Sequence, residues 1–375
     1  MAELKRQTSR IFFITPLPPP IHGSSMVSQW IKDSKLLNEE FEMDFVNLST
    51  SRTVEEIQKG GLWLNMKKAV RFTLAFLHAF WLLCTRRYDL CYLAITCHGL
   101  PFLKDLPFVM LCKMFRKKML IHQHNKGMSD DIEKWPYCWA LPLAYRNTKV
   151  MLLSEHLYED VSRVVKKEQV LICPNGIPYT PFCKSSVENG TPHILFLSNL
   201  IESKGVFILL EACRILRDKG LDFICDFVGK DSKDISANQF QDIIKSMELC
   251  DNVFYHGPKY EKEKEAYWRQ ASLFAFPSYD EAFGLVAVEA MQHNLPVVTT
   301  NEGGIPDIVI DGVTGYVCER KNAKQLADKI ELLLKSPHLC KEMGEAGRKR
   351  YEECFTSDIF ENRLKECLQI ALSPN

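Results

Sequence analysis

Twelve short apolar runs, separated by longer segments of helical period, constrain this sequence more than any other feature. In the first half they are IFFIT, FVNL, LCYLAI, KKMLIH, KVMLLS and QVLICP, and in the second HILFLSN, DFICDFVG, NVFYHG, LFAFPS, LPVVTT and GYVC. Runs this short and this uniformly apolar suit strands buried on both faces, as in a parallel sheet. Segments such as KGVFILLEACRILRDKG and KEKEAYWRQAS supply helices between them. Strands alternating with helices predict doubly wound α/β domains, and two series of runs predict two Rossmann-like domains. A length of 375 residues suits the same count. The boundary is expected at 178–192, PYTPFCKSSVENGTP, which lacks periodicity and is rich in Pro, Ser, Asn and Gly. The last segment, SDIFENRLKECLQIAL, predicts a closing amphipathic helix.

Lys and Arg balance Asp and Glu at 47 each, which argues against a dedicated nucleic-acid binder. The balance is uneven along the chain. Residues 1–180 hold 24 basic against 17 acidic residues, and 181–375 hold 23 against 30. Within 59–118 there are 11 basic residues and two acids, Asp89 and Asp105. This asymmetry points to an anionic partner for the N-terminal half, and solvated helix faces explain it equally well. The same region holds the longest apolar stretch, 69–84, flanked by Lys67, Lys68, Arg86 and Arg87. It falls short of the ~20 residues of a membrane span. A core helix is the first expectation and a helix lying on anionic lipid the second.

Fourteen cysteines are scattered with no C-x-x-C pair, and several, such as Cys225, sit inside apolar runs. They read as reduced core residues of an intracellular protein. The N-terminal apolar run is too short for a signal-peptide core and is broken by prolines, so it reads as a first strand.

Three segments carry the chemistry. In 274–293, FAFPSYDEAFGLVAVEAMQH, a strand ends in a Pro-Ser turn, followed by Glu281, Phe283-Gly284-Leu285 and a helix bearing Glu289. Free backbone N–H groups and a helix N-terminus at a sheet's C-terminal edge make an anion site, which Gly284 lets a phosphate approach closely. In 193–212 a strand exits into Ser198-Asn199-Leu200, and Lys204-Gly205 opens a helix. A lysine there suits a diphosphate leaving group. In 303–317, GGIPDIVIDGVTGYV, paired glycines again allow close approach of backbone to a ligand, or make a plain turn.

In this order and spacing the three segments resemble the retaining glycosyltransferases of family 4, the "group 1" family, strongly over 193–355 and more weakly before it. The matching residues are Ser198-Asn199-Leu200 with Lys204-Gly205, Tyr255-His256-Gly257, Pro277-Ser278 with Glu281, Phe283-Gly284 and Glu289-Ala290, and Gly303-Gly304 with Asp307. The resemblance implies a GT-B fold: two Rossmann-like doubly wound parallel-sheet domains facing a cleft, 1–180 for the acceptor and 181–355 for the nucleotide-sugar donor. A C-terminal helix at about 356–375 would cross back to the first domain. Glu289 is then the ribose-binding acid, Glu281 the acid near the transferred sugar, and Lys204 the diphosphate cation. The amides of Phe283, Gly284 and Leu285 are diphosphate ligands, with Ser198, Asn199, Gly257 and Ser278 also in the donor site. Two positions depart from the pattern: Asn199 stands where the family usually has Arg, and Asp307 where it has Glu.

In the first half, PPPIHGSSMVSQWI resembles the family's glycine loop, with Gly23 retained and His22 in place of a second glycine. His122-Gln123-His124 ends a strand where family members often place a functional histidine. His124 is the first candidate, catalytic by resemblance, and His122 the second. A metal on this pair lacks a completing Cys or carboxylate pattern, so no metal and no cofactor are expected. His98, His122 and Ser154, at strand ends, are candidate acceptor contacts.

The resulting expectation is a retaining, metal-independent hexosyltransferase. It moves a sugar from a nucleotide-diphosphate donor to a hydroxyl of a lipid-linked glycan or glycolipid, in cell-surface polysaccharide or lipopolysaccharide assembly. It is expected in the cytoplasm, peripheral on the membrane's cytoplasmic face through 59–118, with no nucleic-acid partner. A nucleotide-sugar epimerase of the same fold and a non-catalytic glycan-binding homologue compete with this reading. An NAD-dependent oxidoreductase is disfavoured because G-x-G-x-x-G is absent.

Overall fold

In the computed structural model, which describes residues 8–52, 56, 62–181 and 190–373, each of the twelve apolar runs is a strand. The chain divides into two units, Met1–Asn175 with Ser357–Asn375, and Gly176–Thr356. The expected linker at 178–192 lies largely outside the described residues, as do residues 1–7.

The first unit holds β1 (Arg10–Thr15), α1 (Gly23–Asp33), α2 (Lys35–Glu40), β2 (Glu42–Asn47), α3 (Leu62–Thr85), β3 (Leu90–Leu93), α4 (Gly99–Met114), β4 (Met119–Gln123), α5 (Tyr137–Tyr145), β5 (Lys149–Leu152) and β6 (Val170–Ile172). Its sheet is parallel throughout, in the order β2-β1-β3-β4-β5-β6. Ile11, Phe12, Phe13 and Ile14 are fully buried, as strands covered on both faces must be. The chain runs outward from β1 to β2 and returns through α3 to β3, which makes β1/β3 the switch point of the sheet.

The second unit holds β7 (His193–Leu197), α6 (Val206–Asp218), β8 (Ile224–Val228), α7 (Ala237–Ser246), β9 (Val253–Tyr255), α8 (Glu261–Gln270), β10 (Leu273–Phe276), α9 (Leu285–Gln292), β11 (Val297–Thr300), β12 (Gly315–Cys318), α10 (Ala323–Leu334) and α11 (Pro337–Cys354). Its sheet is also parallel, in the order β12-β11-β10-β7-β8-β9, with the switch point at β7/β10. The last helix, α12 (Ser357–Leu372), packs on the first unit against α2 and β4. There Glu361 accepts from the Ser34 hydroxyl at 2.5 Å, and Lys365 pairs with Glu40 at 3.0 Å.

The core-helix expectation for 69–84 is corrected. α3 has 24 residues, longer than the apolar run and long enough to cross a membrane. One face is buried: Ala79, Leu82 and Leu83 are inside, and Phe72 and Phe76 set their edges against Phe108. The other face is apolar and exposed. A crossover helix covers the sheet with one side only, so the remaining apolar positions have nothing of the sheet to cover. The cysteines are mixed: Cys213 and Cys225 are buried, whereas Cys84, Cys138 and Cys250 are exposed.

Candidate active site

At the switch point of the second sheet, the loops after β7 and β10 are locked together by absent side chains. A Cβ on Gly205 would lie 2.2 Å from the Pro277 carbonyl oxygen, and Gly205 has φ +85. Tyr279 N–H donates to Ser203 O at 2.9 Å, and the buried Ser278 hydroxyl donates to the same oxygen at 3.1 Å. Ser278 is therefore a brace between loops, its hydroxyl engaged by backbone carbonyls.

This lock sets Lys204 against the residues after β10. Its ammonium donates to Asp280 O at 2.9 Å and to Glu281 Oε2 at 3.0 Å. The two side chains are 23% and 20% exposed, so the pair is partly desolvated and open on one side. The other oxygen of Glu281 accepts from Ala282 N–H at 3.1 Å and Phe283 N–H at 3.4 Å. The Phe283 amide, expected to face a diphosphate, is thus turned onto the Glu281 carboxylate, and the Phe283 ring is buried. Gly284, at φ +93, is the N-cap residue of α9 and supplies no side-chain cap, so the first-turn amides beginning at Leu285 carry the positive end of the helix dipole.

The paired glycines after β11, expected to let backbone approach a ligand, instead close on the loop after β10. A Cβ on Gly303 would lie 2.0 Å from Glu281 O, and Gly304 N–H donates to Ala282 O at 2.9 Å. Asp307 lies in the short helical turn Ile305–Ile308. Ser198 is half-buried, and its carbonyl sits where a Cβ on Gly229 would be, 1.9 Å away. Asn199 is exposed and accepts from Lys230 N–H at 3.2 Å. Gly257 has φ +67 with open space where a Cβ would point, and its carbonyl accepts from Gly229 N–H at 3.0 Å.

Three charged residues at this edge escaped the sequence reading. Lys264, on α8, pairs with Glu289 at 2.5 Å. Glu302, 1% exposed, pairs with Arg320 at 2.9 Å, and its Oε1 lies 3.5 Å from Glu281 N. Lys264 sits in a charged helical stretch whose pattern marks no position, and Glu302 is announced only by its place beside Gly303-Gly304.

In the first unit a cavity of about 280 Å³ opens at the β1/β3 switch point. Its lining includes Ser49, Thr50, Thr96, Lys104, Asp105 and His124. His124 has both ring nitrogens buried and, among the described residues, without a hydrogen-bond partner, and burial pushes its pKa down to about 3, so the ring is neutral. His22 also lines the cavity and caps α1, with its ring accepting from Ser25 N–H at 3.3 Å and Gly23 as the first helical residue. Asp105 is buried. It accepts from Thr96 N–H at 3.2 Å and lies 3.2 Å from Lys104 Nζ, and burial raises its pKa. No motif marked it, beyond being an acid inside an apolar helix.

The candidate acceptor contacts lie elsewhere. His122 is fully buried, bonded to Tyr92 Oη at 2.5 Å, and its ring centroid is 3.9 Å from that of His124. It packs against the His124 ring and is closed to solvent, so it is not positioned as a surface contact for an acceptor. Ser154 is fully buried and caps the next turn, accepting from His156 N–H at 3.0 Å. His98 is the N-cap residue of α4, with its ring against Gly127, and it does not line the cavity.

Residues 182–350 match the family model "Glycosyl transferases group 1". The chain is 26% identical over 233 residues to the capsular polysaccharide biosynthesis glycosyltransferase CapM of Staphylococcus aureus, covering 58% of this chain and 60% of CapM. It spans about half the length of the curated relatives it matches. Among solved structures, sucrose-phosphate synthase from Thermosynechococcus elongatus superimposes with TM-score 0.75 at 18% identity, covering 96% of this chain and 98% of that one. Anabaena HepE in complex with UDP gives 0.74 at 17%, covering 96% and 100%. These likenesses establish a GT-B fold.

Proposed function

With residues 182–350 belonging to the group 1 glycosyltransferases, on a chain of GT-B fold, we propose that this protein is a retaining, metal-independent hexosyltransferase. A nucleotide-diphosphate sugar binds the second unit, and a hydroxyl of a lipid-linked glycan binds the first. The observation that carries this reading is the Lys204–Glu281 pair at the β7/β10 switch point, beside the uncapped N-terminus of α9. A cation beside helix N-terminal amides suits a departing diphosphate, and the carboxylate suits sugar hydroxyls.

In the proposed reaction the bond between sugar C1 and the diphosphate oxygen breaks, and its electron pair stays on the diphosphate. Lys204 and the α9 amides neutralise that charge. The acceptor oxygen bonds to C1 on the same face, and its proton passes to the departing diphosphate oxygen. Glu281, oriented by two backbone amides, recognises hydroxyls of the transferred sugar. Glu289, steadied by Lys264, recognises the ribose. Neutral His124 lines the first-unit cavity, where the acceptor is proposed to bind.

The likeness to a capsular polysaccharide biosynthesis glycosyltransferase supports an acceptor in cell-surface polysaccharide assembly. The test is release of nucleoside diphosphate from a panel of nucleotide sugars, with and without polyprenyl-linked acceptors. Acceptor-dependent release, lost in Glu281→Ala, supports transfer. Conversion of the nucleotide sugar with no release would make the protein an epimerase, and no turnover with any donor would end the enzyme reading.

A further inference from the structure

α3 carries two apolar faces, and among the described residues only one of them has a partner in the fold. Trp63, Met66, Val70, Leu74, Leu77 and Trp81 are each more than half exposed. Their spacing of 3, 4, 4, 3 and 4 puts them on one stripe about five turns long. No Asp or Glu occurs between Leu62 and Thr85. Lys67 lies at the edge of the stripe, its ammonium 5.0 Å from the centre of the Trp63 ring, and Arg86 and Arg87 follow its C-terminal end.

We propose that α3 is an in-plane membrane anchor whose stripe lies in the interface of an anionic leaflet. Charge selects this occupant. A second copy of the chain on the same stripe would set cations against cations, whereas anionic headgroups meet Lys67 and Arg87 while the apolar side chains enter the acyl boundary. The fold selects the orientation. α3 joins β2 to β3, parallel strands of one sheet, and its other face is fixed through Ala79, Leu82, Leu83 and the Phe72 and Phe76 contacts with Phe108. Crossing the bilayer would tear that face from the sheet.

The anchor also sets the height of the first-unit cavity. Arg71, on α3, donates to Thr50 O at 2.8 Å, and Thr50 lines the cavity. The mouth is therefore held beside the helix, where the polar head of a membrane-tethered acceptor arrives without leaving the interface. This last step rests on the transferase reading; the docking itself does not.

The test is flotation of the full chain with phosphatidylcholine vesicles, with and without phosphatidylglycerol, and depth-dependent quenching of tryptophan by brominated lipids. The anionic vesicles should carry the protein. Leu74→Glu should weaken binding roughly tenfold or more, and Lys67→Ala about fivefold, with the Lys67 effect lost at high salt. Comparison with Trp63→Phe and Trp81→Phe should place both rings at one shallow depth. The proposal is overturned by absence of anionic binding, by Trp63 and Trp81 at opposite interfaces (a span), or by a stripe variant that changes oligomeric state without vesicles. Nucleoside-diphosphate binding by calorimetry, measured on the same variants, checks that they are folded. Docking lost with nucleotide binding intact in the wild type refutes the anchor alone, and the converse refutes the transferase reading alone.

Discussion

Replacing Lys204 with alanine removes a side-chain cation from the junction where β7 and β10 part. Its ammonium sits 3.0 Å from Glu281 Oε2 and 2.9 Å from Asp280 O, with both side chains of the pair about one-fifth exposed. At an effective dielectric of about 20, a unit charge ~4 Å from a phosphate oxygen gains roughly 4 kcal/mol before desolvation is counted. Loss of a single preorganised donor to a developing anion costs roughly 3–4 kcal/mol in related geometries, or 10²–10³ in rate. We therefore expect kcat/KM to fall about 100–1,000-fold in Lys204→Ala. Folding should suffer far less, because a partly exposed ion pair contributes about 1 kcal/mol or below. The melting temperature should then drop by roughly 2–4 °C for a domain of this size. Lys204→Arg keeps the charge but not its reach and should fall between the two. The assay is steady-state nucleoside-diphosphate release beside a thermal melt. Near-wild-type turnover in a folded Lys204→Ala protein would refute the assignment of the leaving-group site.

Gly303→Ala should destabilise the second unit by about 2–4 kcal/mol, since its Cβ meets Glu281 O at 2.0 Å at φ +52. Gly220→Ala, also at positive φ but in open space, should cost only about 1–2 kcal/mol in a denaturant titration. His124 is held neutral with its pKa lowered from 6.5 to about 3, so below pH 6.5 the unfolded chain binds the extra proton. Stability is then full above pH 6.5 and falls as pH drops towards 3, by up to ~1.4 kcal/mol per pH unit. His124→Asn should make that slope shallower, and an unchanged slope contradicts the burial argument. Asp105→Asn keeps an acceptor for Thr96 N–H and removes a buried charge, so its melting temperature should equal or exceed wild type. Its KM for acceptor should rise about tenfold, with donor affinity unchanged.

The strand runs were legible because a strand in a parallel sheet is apolar on both faces, which leaves a continuous signature such as Ile11–Ile14. The second-unit site was legible where chain geometry demands glycine: Gly205, Gly284 and Gly303 each hold a close approach or a left-handed turn. Side-chain partners across the sheet were not legible. Lys264 reaches Glu289 from 25 residues away, and Arg320 reaches Glu302 from 18, distances at which sequence carries no spacing rule. Burial depth was equally hidden. His122 lies in β4 and His124 just past its end, yet His122 is sealed beside Tyr92 while His124 lines the cavity. α3 misled for a related reason. An apolar helix of this composition is what a core or a lipid surface selects, and only the sheet's single coverage decides between them.

A nucleoside diphosphate is proposed to bind at the C-terminal edge of the second sheet. Calorimetric titration of the purified chain with a panel of nucleoside diphosphates tests it directly, with Glu289→Ala and Lys204→Ala titrated in parallel. At least one nucleoside diphosphate should bind, weakened by Glu289→Ala through the ribose and by Lys204→Ala through the phosphates. Absence of heat with every nucleotide, or binding indifferent to both substitutions, would contradict the account.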